Sequence, residues 1–299
     1  MSKGNIVLGY GRGAVGDLVL TRLKGQQVSK ARNRHPNNPR TSLQMRQRAG
    51  FVAPLKFYTR GTQNFFQFAF ENKRAKESDY NAFMRMNVGQ GFPLTPSEFE
   101  SRQFPALGQW QLTYGSLPAV PLILGGTYSN TIVIDCAFQP ILLQWGPICA
   151  KLVAAGFCKE GDIFTALIVD CDGTATSATS IDVAPVVTPI WRIWQARVNT
   201  ADLRTLKEIE CPLDIVTVDG NAYLGISAAY FPVNETTVGL GIVISRPTTK
   251  GLRVSSSALK WGGYVTEYIN FRNSKAEIER VLAEWGASRS AILDGGLLS

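Results

Sequence analysis

From about Gln109 onward, apolar residues recur at every second position or in short unbroken runs, the signature of strands rather than helices. QWQLTYGSL, TIVIDCAFQ, DIFTALIVDC, PIWRIWQARV and LDIVTVDGNAYLGIS all read as strands, and Asp219-Gly220 supplies the left-handed backbone that a two-residue hairpin turn requires. TVGLGIVISR and GLRVSSSALKW form a further pair across Pro247 to Gly251. Two helices interrupt the strands. PICAKLVAAG has Pro147 in its first turn and Gly156 as its stop. In SKAEIERVLAEWG, Ser274 and Glu277 make a capping box, Ile278, Val281, Leu282 and Trp285 keep one face, and Gly286 is expected to end the helix. Hairpins with sparse helices predict an α+β fold, mainly antiparallel β, with a sandwich- or barrel-like body over residues 104–299.

Upstream the period changes. Thr41 or Ser42 can cap a helix over SLQMRQRAGFVA, and Pro54 is expected to kink it or force a new start. FYTRGTQNFFQFAFENK is dense in aromatics, among them Phe65, Phe66, Phe68 and Phe70. These suit the apolar side of a helical segment or an interface with another subunit, and, interleaved with Arg48, Lys56 and Arg60, they could also stack bases. ESDYNAFMRMN adds a short helix capped by Ser78, so residues 41–103 form a helical, aromatic-rich segment.

Residues 1–40 read as a basic hairpin and extended arm. Gly11, Gly13 and Gly16 spell the GxGxxG of a dinucleotide fold behind an apolar run. The residues downstream of Gly16 do not fit that fold. DLVLTRLKGQQVSKAR alternates about Lys24-Gly25 as a hairpin, and the next acid after Asp17 is Glu71, too late to hold a ribose. KARNRHPNNPRTS then loses all periodicity, with Pro36 and Pro39 blocking regular structure.

Charge sharpens this picture. Residues 1–50 carry ten Lys and Arg against Asp17 alone, a net +9, whereas the whole chain is +8 and the remainder therefore −1. Such a localised excess is the pattern of an arm that meets polyanions or acidic neighbours. Arg32, Arg34, Arg40, Arg46 and Arg48 are the candidate contacts, because a guanidinium forks onto phosphate and carboxylate alike. No run approaches the roughly 18 apolar residues needed to span a bilayer, and the first residues lack the apolar stretch of a secretory signal, so membrane partners are not expected.

Catalytic chemistry finds little support. The five cysteines stand singly in apolar segments, as buried reduced thiols do, and His35 alone cannot build a zinc site or a histidine triad, so neither metal nor cofactor is expected. ALIVDCDGTATS resembles the first motif of haloacid dehalogenase phosphatases, which implies Asp170 as nucleophile and Asp172 as proton donor. The later acidic pair that would hold magnesium is missing, and Lys207 has no supporting motif. A hairpin turn at Asp172-Gly173 accounts for the same letters.

The N-terminal run KGNIVLGYGRGAVGDLVLTRLKGQQVSKARNRHPNNPRTSLQMRQRAGF resembles the start of an uncharacterised protein family encoded by Bacteroidota and gut phages, with its glycine-rich hairpin, NPRT-like turn and Gln/Arg helix. GLGIVISRPTTKGLRVSSSALKW is similar to that family's C-terminal strand pair. The resemblance implies a phage or mobile-element context. With the +9 arm and no credible catalytic set, it leads to a non-enzymatic structural protein of a virion, made in the host cytoplasm. Its expected partners are itself, other virion proteins and nucleic acid. Single-stranded nucleic-acid binding is the alternative, and the phosphatase a more distant one.

Overall fold

The computed structural model describes residues 13–23, 26–34, 41–60, 63–66, 69–102, 104, 106–126, 131–138, 144–171, 174–177, 180–182, 189–226 and 238–294. The chain forms two compact units, residues 1–41 and 42–299. The first is a three-stranded antiparallel meander of β1 (Gly13–Val15), β2 (Leu18–Leu23) and β3 (Gln26–Ala31). Val15 pairs with Leu18, so Gly16-Asp17 is a two-residue turn, with Gly16 at φ 56°. The third glycine of the dinucleotide-like string therefore turns a hairpin, where positive φ favours glycine, and opens no helix.

The second unit begins with α1 (Ser42–Arg60), α2 (Gln63–Phe66), α3 (Asp79–Asn87) and α4 (Pro96–Ser101). Pro54 lies inside α1 and does not break it. Ala53 and Phe57 hold the helix to the core on either side of the proline, and that burial outweighs the lost hydrogen bond. Ser78 caps α3 as expected. Helix α4 occupies a stretch to which the pattern assigned no element, although Thr95 and Glu98 close a full capping box with proline at the first position.

The remaining elements are β4 (Gln111–Thr113), β5 (Leu122–Leu124), β6 (Ile132–Phe138), α5 (Trp145–Ala154), β7 (Ile163–Cys171), β8 (Thr174–Ser177), β9 (Ser180–Asp182) and β10 (Pro189–Arg197). They continue through β11 (Leu213–Val218), β12 (Asn221–Ile226), β13 (Val238–Thr248), β14 (Gly251–Val254), β15 (Ser257–Ala258), β16 (Lys260–Trp261), α6 (Gly263–Arg272) and α7 (Lys275–Asp294). Every pair of named strands is antiparallel. One sheet runs β10-β7-β13-β14, with β16 also on β13, and a second runs β11-β12-β6-β5. Among the described residues neither closes into a barrel.

The sheet order explains the sequence patterns. Along β7, Phe164, Ala166 and Ile168 enter one core, shared with β6, β12, β13 and α5, while Leu167 and Val169 enter a second core built on the helices. A strand covered on both faces needs few polar positions, hence the apolar run ALIV, and the one polar residue before it, buried Thr165, accepts a hydrogen bond from Gln195. Strand β6 is covered along one face, and its other face buries Val133 but exposes Asp135 and Ala137. On β13, Leu240, Ile242 and Ile244 fill the first core. Between them, Gly241 makes room on the opposite face for Leu112, whose Cδ1 occupies the place of a Cβ.

Asp219 (φ 49°) and Gly220 (φ 80°) form the two-residue turn between β11 and β12. Gly156 (φ 81°) follows α5, as a C-terminal stop does. Two other expectations are corrected. Helix α7 continues through Gly286 to Asp294, held by Trp285, whose Nε1 donates to the Leu94 carbonyl at 2.8 Å. Helix α6 likewise forms where the pattern assigned no element, and it joins the core through Val265, Tyr268 and Ile269.

Candidate interaction surface

The five arginines fall at different places. Arg32 and Arg34 stand exposed at the end of β3, where Arg34 pairs with Asp17 at 2.6 Å and the Arg32 backbone N–H donates to the Asp17 carbonyl. Both partners of that ion pair are well exposed, so it is screened and contributes little stability. It leaves Asp17, the one acid of the arm, engaged by its own sheet. Arg46 and Arg48 are exposed on α1, and Arg40 lies outside the described residues. Leu43, Phe51 and Leu55 are also exposed on α1, so this helix presents apolar and cationic side chains together.

Of the readings open for the aromatics, Phe66 and Phe70 follow the apolar side of a helical segment and not the interface. Phe66 and Phe70 are fully buried in the helical core and offer no face to a base or a second subunit. Phe66 packs on Tyr58 at 4.9 Å, on Phe83 at 4.8 Å and on Trp191 at 5.6 Å. Phe65 is half-buried against the same cluster, and Phe68 lies outside the described residues. The helical segment needs these rings for its own core, since each buries a large apolar area in a region with few aliphatic residues.

Strand β7, which carries the aspartate motif, is central. Asp170 is in register with Ile190 of β10 and Val238 of β13, both antiparallel. The phosphatase chemistry belongs on a parallel, doubly wound sheet, and this strand is not in one. Asp172 lies outside the described residues, as does His35. Cys136, Cys149, Cys158 and Cys211 are buried and unbonded to one another, and burial pushes the last three up to about 12, far from a reactive thiolate. Among the described residues no group of histidine, cysteine and carboxylate side chains could hold a metal.

Among the described residues the buried charges are paired, and of these groups the Arg272 Nε alone lacks a hydrogen bond, with Glu277 3.6 Å away. Asp162 receives Arg246 through two bonds of 2.7 Å and the Lys159 amide at 2.7 Å. Arg272 donates to both oxygens of Glu98, to the Tyr268 hydroxyl at 2.9 Å and to the Pro93 carbonyl at 3.0 Å, and lies 4.5 Å from the Phe92 ring centre. Burial pushes the Glu98 carboxyl up, but the Arg272 and Thr95 bonds outweigh it and hold it below its ordinary value. Arg272 thereby ties α6 to α4, with Glu277 of α7 3.6 Å from its Nε, while Arg246 and Asp162 join the far end of β13 to the start of β7.

A half-open cavity of about 300 Å³ lies between α1, α7 and residues 89–94. Its walls are apolar apart from Arg46 and Asn273. Among the four of these arginines that are described, Arg46 is the one that lines this cavity. Residues 46–53, 89–94 and 273–282 are too far apart in sequence for any local motif to announce the cavity.

Fold and surface together define an α+β protein of antiparallel sheets with a basic N-terminal sheet. Residues 10–95 match the model of a family of unknown function (DUF6266), the stretch that carries the N-terminal resemblance to an uncharacterised family. No curated protein and no solved structure matches the chain. No helix of the described residues is long and apolar enough to cross a membrane.

Proposed function

We propose that this chain is a self-assembling structural subunit, of the kind that builds a phage or virus particle, and that its N-terminal sheet reaches neighbouring subunits or packaged nucleic acid. The observation that carries this reading is the state of that sheet. Residues 1–41 form a compact unit of their own with eight basic residues against Asp17, and among the side chains described there Leu20 is the one buried apolar residue. Leu18 is 52% exposed and Val28 36% exposed. A three-stranded sheet is stable only with a covered apolar face. Covering what remains exposed of these two side chains would contribute about 1 kcal/mol each. The cationic groups add an attraction to phosphate or carboxylate that salt screens.

Single-stranded nucleic-acid binding shares the arm but needs exposed rings, and the burial of Phe66 and Phe70 weighs against it. Light scattering behind size exclusion, with absorbance read at 260 and 280 nm, tests the proposal. A discrete large assembly is expected, lost when residues 1–40 are removed, with any excess 260 nm absorbance released at high salt. A monomer free of nucleic acid, unchanged by the truncation, would refute it.

A further inference from the structure

The groove between α1 and α7 has a chemistry that the assembly reading does not use. Its floor is apolar, formed by Ala49, Ala53, Phe92, Leu94 and Val281, all buried. Its one cation is Arg46, which has no hydrogen-bond or ion-pair partner among the described residues. One cation against an apolar wall selects a ligand that is apolar along its length and anionic at one end. A nucleotide or sugar would need several more polar groups than Arg46 and Asn273 provide, and a cation would be repelled.

Gly50 is a second, independent observation. It sits in the interior of α1 and lines the groove, where glycine is unfavourable relative to alanine. A Cβ built on Gly50 would meet nothing within 4 Å, so no described side chain requires its absence. Pro54 crowds the carbonyl of residue 50, but it would crowd that of an alanine equally, so the proline does not account for the missing methyl. Space kept empty at a conformational cost, on the wall of an apolar groove, is what close approach of a bound chain requires.

We propose that this groove binds an amphipathic monoanion, an alkyl chain ending in a carboxylate, with the carboxylate at the Arg46 guanidinium and the chain passing over Gly50. The proposal is independent of assembly, and its test separates the two. The probe is decanoate, titrated by calorimetry into the full-length protein below the micellar concentration, with decanol as the neutral counterpart.

Saturable binding of one decanoate per chain is expected, weakened about tenfold in Arg46→Gln and abolished in Gly50→Leu, which fills the groove. Decanol should bind more weakly and be indifferent to Arg46→Gln. Gly50→Ala should raise the Tm of the unliganded protein while weakening decanoate, which shows that loss of binding is not loss of fold. Absence of saturable binding, or equal binding by wild type and Gly50→Leu, would overturn the proposal. So would dissociation of an assembly by Gly50→Leu without any decanoate effect, which would make the groove a contact between copies.

Discussion

Replacing Arg246 with methionine tests the account of the buried charges, because it removes the guanidinium and keeps most of the apolar stem. Asp162 is 2% exposed and Arg246 25% exposed at the side chain, and the pair joins the start of β7 to the far end of β13. Breaking a buried pair by removing one partner costs about 3–5 kcal/mol, since the remaining charge stays desolvated. Arg246 is a quarter exposed and the Lys159 amide still serves Asp162, so about 2–4 kcal/mol is expected here. The pH dependence carries more information than the size. Burial alone pushes the Asp162 carboxyl up, while Arg246 and the Lys159 amide reverse this and hold it below its ordinary value. In the wild type, its contribution is therefore present above the unfolded pKa and lost as pH falls through the lowered folded one.

In the variant the burial and the Lys159 amide remain and the guanidinium does not, so the folded pKa rises from its wild-type position. The variant's folded state then takes up the proton at a higher pH than the wild type's, and the stability deficit should shrink as pH falls from 7 toward 4. Urea unfolding followed by tryptophan fluorescence at both pH values measures this. Asp162→Asn combined with Arg246→Met should recover roughly half or more of the loss, since it removes the unpaired charge. A deficit below about 1 kcal/mol that is flat with pH would mean that the pair is screened by solvent, and the reasoning would fail.

The same structure sets three further outcomes. Gly146→Ala should destabilise by about 1–3 kcal/mol in urea despite its helical setting, because the added Cβ would lie 2.5 Å from the Asp202 carbonyl oxygen and 2.7 Å from that of Thr200; a neutral or stabilised variant would show that the contact yields. The Arg85 guanidinium, with the Arg74 amide, holds Glu77 near about 2, so its contribution is present above the unfolded carboxylate pKa and lost as pH falls through about 2. Glu77→Gln should therefore flatten acid unfolding across that window, and an unchanged acid profile would count against the pairing. Finally, a disulfide thiol reagent at pH 8 should modify at most one cysteine in the native protein and five in urea, because Cys136, Cys149, Cys158 and Cys211 are buried; two or more native modifications would contradict their burial.

Local signals are readable where local chemistry is sufficient. Asp219-Gly220 makes its turn because only a left-handed pair matches the strand twist, and Ser78 and Ser274 cap their helices because each side chain reaches a free amide three residues on. Thr95 and Glu98 carry an equally local signal for α4, although no apolar period accompanies it. Pro54 and Gly286 mislead, since both weaken a helix locally while Phe57 and Trp285 fix it from a distance. The basic excess of residues 1–50 is plain from charge alone. The groove is not, because Arg46 and Gly50 on α1 meet Phe92 and Val281 only after the chain has folded back through all of its sheets.

The sequence by itself determined the type of most elements, though not α4 or α6, together with the antiparallel hairpins and the placement of charge, since period, turn residues and caps act within a few positions of one another. Tertiary structure alone decided that β7 is covered on both faces, that Phe66 and Phe70 belong to the core and not to an interface, and that Arg46 stands over an apolar cavity. Those outcomes depend on which distant surfaces exclude water together, and burial of that kind is a property of the whole packed unit, not of any local run of residues.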